Sequence, residues 1–96
     1  MAVAVLMNFP GGDNDAYDRV IQKMGLSDGT PPDGAHYHVA GEVDGGYRVV
    51  DVWESQEAFD RFAEERLNPV IRELMGDNPG GHTSTRTHEV HHLVKP

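Results

Sequence analysis

Apolar residues recur along this chain with two different periods, and the switches between them lay out its elements. Val3 to Phe9 is rich in strand-forming residues and runs into Pro10-Gly11-Gly12, a strand followed by a turn. Asp13 or Asn14 can then cap a helix on which Tyr17, Val20, Ile21 and Met24 form one stripe, with Gly25 closing it in the left-handed position. Leu26 to Gly34, with Ser-Asp-Gly and Pro-Pro-Asp-Gly, reads as a loop. Two alternating segments follow, Ala35 to Asp44 and Tyr47 to Trp53, joined by Gly45-Gly46 as a two-residue hairpin turn. That turn sets Ala40 opposite Asp51 and His38 opposite Trp53. It predicts one face with His36, His38, Ala40, Glu42, Tyr47, Val49, Asp51 and Trp53, and a second, mostly apolar face with Tyr37, Val39, Gly41, Val43, Arg48, Val50 and Val52. Ser55 is a good cap for the next helix, whose stripe runs from Ala58 and Phe59 through Phe62 and Leu67 to Ile71 and Leu74. Pro69 removes an amide inside it, which predicts a kink, or a restart with Asn68 as cap. Gly76 to His82 reads as a loop and Thr83 to Val94 as a final strand.

The order β-α-β-β-α-β is that of a ferredoxin-like α+β fold, a four-stranded antiparallel sheet with two helices on one face. The 96 residues leave room for a single domain, 1–96. Such a sheet keeps one face bare. Here that face is valine-rich, and at roughly 25 cal/mol per Å² of apolar surface it calls for a cover. A second copy of the chain supplies one, so a homodimer is expected. The chain contains no cysteine, so a disulfide cannot reinforce this small core. A net charge of −8 repels phosphate backbones and anionic lipid alike, which argues against nucleic-acid and membrane partners. Ala2 to Met7 is too short for a membrane span or a signal segment, and the expectation is a cytoplasmic protein.

One stretch carries a family resemblance. The run Asp51-Val52-Trp53-Glu54-Ser55-Gln56-Glu57-Ala58-Phe59, placed at a strand-to-helix junction, resembles that junction in the antibiotic biosynthesis monooxygenase-like proteins. The element order and chain length fit the same family over nearly the whole sequence. The resemblance implies a dimeric α/β barrel with a pocket between sheet and helices, lined by the tryptophan's face of the strand. It departs at Phe62, where many members carry a histidine.

On that reading His38 and Asp51 stand beside Trp53, and an imidazole backed by a carboxylate is a general base suited to neutral pH. His38 and Asp51 are therefore the catalytic candidates. Trp53 would be a stacking wall for an apolar or aromatic ligand, with Phe62 beside it. Asn8 and Tyr17 would reach the cavity from the first strand and helix, and Arg86 or Asn8 could hold an oxyanion. The function implied is a cofactor-independent monooxygenase, or a related tailoring enzyme, on an aromatic or polyketide-like substrate; an isomerase or cyclase could use the same base. The competing reading is a non-catalytic dimeric ligand-binding or accessory protein. Six histidines, with His88, His91 and His92 crowded near the end, raise a metal site. No H-E-x-x-H spacing supports one, so neither a metal nor a cofactor is expected.

Overall fold

The computed structural model describes residues 2–75 and 84–94. Strand β1 (Val3–Pro10) leads to helix α1 (Asn14–Met24), then to the hairpin β2 (Ala35–Val43) and β3 (Gly46–Trp53). A helical arm follows as α2 (Gln56–Phe62), a π-helical turn (Ala63–Leu67) and α3 (Asn68–Met75), and β4 (Ser84–Glu89) completes the sheet. All neighbouring strands are antiparallel and their order is β2-β3-β1-β4, so β1 and β3 lie at the centre. The core sits between this sheet and the helices, where Val3, Val5, Met7, Tyr47, Val49 and Trp53 meet Val20, Met24, Phe59 and Leu67.

The local signals that start the helices work as expected. The Asp13 carboxylate accepts from the Ala16 amide, and the Ser55 hydroxyl accepts from the Ala58 amide. Each satisfies a donor that the first helical turn leaves without a partner. At the other end of α1, Gly25 takes the left-handed conformation with φ 77°.

The hairpin differs in detail. Its turn is Asp44-Gly45 rather than Gly45-Gly46, so Glu42 opposes Tyr47, Ala40 opposes Val49 and His38 opposes Asp51. Only Gly45 needs the positive φ, at 79°. Gly46 belongs to β3 instead, where a Cβ would lie 2.5 Å from the Phe9 carbonyl oxygen. The register is thus two residues from the expected one. Side chains alternate with period two, so a two-residue shift leaves every face unchanged. His36 is the exception. An irregularity between Ala35 and Tyr37 takes it out of the alternation, so that Ala35 rather than His36 precedes His38 on the inner face.

Pro69 does not restart the arm. Asn68 has helical dihedrals (φ −62°, ψ −43°) and is not a cap. The chain widens just before the proline, where the Asn68 amide reaches the Ala63 carbonyl five residues back. A π turn absorbs one extra residue without ending the helix, and that is how this arm passes a residue with no amide donor. β4 is shorter than expected and ends at Glu89, leaving His91 and His92 beyond it. The expected 76–82 loop lies outside the described residues. Among those described, no helix is long and apolar enough to cross a membrane.

Candidate functional site

Between the inner face of the sheet and the helices lies a cavity of about 300 Å³. Its wall is mostly apolar, with Phe9, Met24, Trp53, Phe62 and Leu67 contributing. One polar chain interrupts it. Asp51 projects from the middle of β3 and is buried, 4% exposed. Its Oδ1 lies 2.6 Å from His38 Nδ1, and its Oδ2 accepts from the Trp53 indole N–H at 3.1 Å. At the far side of the imidazole, Nε2 lies 2.5 Å from the Tyr17 hydroxyl.

Donor and acceptor rules orient this chain. An ionised carboxylate only accepts, so His38 carries its proton on Nδ1 and donates it to Asp51. In the neutral ring Nε2 is then an acceptor, and the Tyr17 O–H donates to it. The result is one directed path: Tyr17 to His38 to Asp51, with Trp53 holding the second carboxylate oxygen. Among the described residues no buried side-chain nitrogen or oxygen lacks a partner, so none of this polar insertion is left unsatisfied.

Each member is placed by its own element. Asp51 and His38 are cross-strand partners in the β2–β3 hairpin. Trp53 lies two residues beyond Asp51 on the same face, which brings its indole nitrogen to the carboxylate. Its ring is fixed from above by Phe59, edge-on at 5.7 Å, and by Phe62 at 5.0 Å. Tyr17 comes down from the first turns of α1 and stacks on Tyr47 at 5.2 Å.

Burial is the main influence on the phenols. It raises the Tyr17 pKa above its ordinary 10.0, with the negative ends of Tyr47, Asp51 and Asp18 adding to the effect. Tyr47 is raised in the same way, by burial first and then by Asp18 and Glu42. Tyr17 therefore stays protonated at neutral pH, as its role of donor to His38 requires.

Of the residues expected at the site, His38, Asp51, Trp53, Tyr17 and Phe62 all line the cavity. Asn8 and Arg86 do not. The inward residues of β1 are Val3, Val5 and Met7, which puts Asn8 on the opposite face. There its amide accepts from Arg48 Nε at 2.9 Å and donates weakly to Ser84. Arg86 is exposed and pairs in register with Leu6, on that same outer side. Neither can hold an oxyanion in this cavity. Strand parity alone, counted from the apolar Val3, Val5 and Met7, separates Asn8 from the core. The contact of Tyr17 with His38 was beyond such counting, because it joins a helix to a strand. No three of the described histidines and carboxylates converge as a metal site would require.

Comparison with solved structures finds this architecture elsewhere. The Rv0793 protein of Mycobacterium tuberculosis superposes with a TM-score of 0.74 at 15% identity, over 99% of this chain and 100% of its own. A Chloroflexus aurantiacus J-10-fl protein, provisionally named an antibiotic biosynthesis monooxygenase, gives 0.68 at 11% identity over 99% and 98%. The chain has the antibiotic biosynthesis monooxygenase-like fold. SnoaB of Streptomyces nogalater, a cofactor-independent oxygenase, gives 0.61 at 16% identity over 99% and 97%, in its N63A variant. No family model matches the sequence, and no curated protein does. The likeness is therefore one of fold, and the chemistry must be argued from this chain's own residues.

Proposed function

We propose that this protein is a cofactor-independent oxygenase for a small aromatic, polyketide-like molecule, acting as a homodimer, with His38 and Asp51 as its base. One observation carries the reading. A continuous Tyr17–His38–Asp51 hydrogen-bonded chain opens onto an apolar cavity, in a fold shared with a cofactor-independent oxygenase.

The arrangement suits removal of a proton from a weakly acidic C–H or O–H. A substrate lying against Trp53 and Phe62 would give its proton to the Tyr17 oxygen as Tyr17 passes its own to His38 Nε2. Asp51 then balances the imidazolium at 2.6 Å. For an activated CH₂ the resulting carbanion is itself the reductant. It gives an electron to dioxygen, and the two radicals join as a peroxide anion, which recovers the proton from His38 through Tyr17. Loss of the second C–H proton and cleavage of the O–O bond leave a ketone and one water, so that R₂CH₂ and O₂ become R₂C=O and H₂O.

Oxygen uptake with anthrone, whose central CH₂ is activated on both sides, tests this. The His38→Ala variant should lose about 10²-fold or more of the rate, while anthraquinone still binds. Unchanged uptake in that variant would remove His38 from the chemistry. The second reading, a non-catalytic binding protein, draws on the Tyr17 hydroxyl, which occupies the lone pair that a base needs. Binding of anthraquinone by the wild type without any oxygen uptake would favour it.

The homodimer is supported by the outer face of the sheet, where Val39 is 66% exposed and Val43 and Val50 are over a third exposed in the single chain. Sedimentation of the wild type as a single subunit at micromolar concentration would refute it.

A further inference from the structure

Two acidic side chains line the cavity, Asp51 and Asp13, and Asp51 is the buried one. Both oxygens of Asp51 are already engaged by His38 and Trp53. Further acidic groups lie close by, just ahead of α1, on α1 and on β2. Asp13 lines the cavity ahead of α1, Asp18 lies on α1 near enough to perturb both tyrosines, and Glu42 does so for Tyr47 from β2. Among the described residues that line the cavity, none is a lysine or arginine. On the helical arm, Arg66 packs over the outside of Phe62 and donates to the Met24 carbonyl. On α1, Lys23 is paired with Glu73 at 2.9 Å.

We infer that the cavity reads the charge of its ligand, admitting uncharged hydroxy-aromatics as they are and aromatic carboxylates only together with a proton taken up by His38. This rests on the small-molecule reading above and refines its substrate class. In the resting chain the Tyr17 O–H is spent on His38 Nε2, so Tyr17 offers a ligand only lone pairs. A neutral hydroxyl can donate to those lone pairs without disturbing anything. A carboxylate cannot, because it too has only lone pairs, and it would set a second negative charge beside Asp51. Protonation of His38 resolves both problems at once. Nε2–H then donates to the Tyr17 oxygen, the Tyr17 O–H swings free to donate to the anion, and the imidazolium supplies the missing positive charge. One proton therefore reverses the direction of the Tyr17–His38 bond and converts the site from an acceptor into a donor.

Titration calorimetry with 1-naphthol and 1-naphthoate, each in phosphate and in Tris near pH 8, tests the inference. The buffers differ in ionisation enthalpy, so proton uptake shows as a difference in apparent heat. Naphthoate should take up about one proton per molecule and weaken about tenfold per pH unit as pH rises. Naphthol should show no uptake and keep its affinity from about pH 7 to 8.5. His38→Gln, confirmed folded by its thermal transition, should abolish the uptake and with it naphthoate binding. Should that variant fail to fold, the two-buffer comparison on the wild type decides alone. Naphthoate binding without proton uptake, or as tightly as naphthol throughout, would overturn the inference and leave the oxygenase reading standing. Failure of both ligands to bind would remove the small-molecule reading as well.

Discussion

The two faces of the sheet are built from the same strands and nearly the same residue types, yet they have different fates. On the inner face Val5 is fully buried and Trp53 is 1% exposed, while one residue away in register the outer face leaves Val39 66% exposed. Valines occur on both, so hydrophobicity alone does not say which face becomes the core. The difference lies in the helices. The connections β1–α1–β2 and β3–α2 place both helical layers on one side, and apolar surface contributes only where something comes to cover it. The inner face also carries the polar chain from Tyr17 to Trp53, which is buried at its Asp51–Trp53 end and opens to solvent at His38. The outer face has its polar groups, Asn8, Arg48 and Ser84, joined to one another in the open. Among the described residues, a hydrogen-bonded cluster anchored on a buried carboxylate exists on one side only.

Mutations that separate the faces should differ in size. The largest effect is expected from Trp53→Ala, which empties the most buried large side chain and strips Asp51 of a donor. Urea denaturation should show a loss of about 3–5 kcal/mol. A loss under about 1 kcal/mol would mean that the cavity already tolerates a missing wall. Val39→Asp on the outer face should behave in the opposite way. It should leave single-chain stability within about 0.5 kcal/mol, yet shift the sedimentation profile from dimer to monomer. An unchanged profile would remove that face from the interface. Trp53→Phe sharpens the inner side further. It keeps the ring against Phe59 and Phe62 but leaves a buried carboxylate oxygen unpaired, at a cost of about 1–3 kcal/mol. A neutral result would show that water or a rotated Asp51 replaces the indole.

How much of this was legible in the sequence follows from which signals are local. Caps at Asp13 and Ser55, the left-handed Gly25 and the strand alternation are decided by neighbours a few residues away, and they came through. The alternation also protected the site. The hairpin register was misplaced by two residues, yet His38, Asp51 and Trp53 kept a common face because the side-chain period is two. His36 was lost from that face by a β-bulge, which follows from backbone geometry that composition does not mark. The passage of Pro69 through a π turn was equally invisible, since a widened helix and a broken one share the same apolar stripe. Asn8 and Arg86 were misassigned for a simpler reason. Their chemistry suits a pocket, but strand parity places both on the outer side of the sheet. The Tyr17–His38 bond could not be read at all, because the angle at which α1 crosses the sheet decides it.

The smallest expected effect tests whether Tyr17 truly belongs to the buried side. Its pKa is raised in the folded protein, chiefly by burial and then by Tyr47, Asp51 and Asp18. A raised pKa means that the folded state holds the proton longer than the unfolded state does. The associated stability is complete below the ordinary tyrosine value of 10.0 and is lost as pH rises through the higher folded value. Urea denaturation of the wild type should therefore weaken between about pH 9 and 11. Tyr17→Phe should flatten part of that slope, with Tyr47 supplying much of the remainder because it is raised for the same reason. Other groups ionise in this range, so the informative quantity is the difference in slope between wild type and variant. Parallel slopes would place the Tyr17 phenol in water, loosening the hydrogen bond to His38 on which the proton path depends.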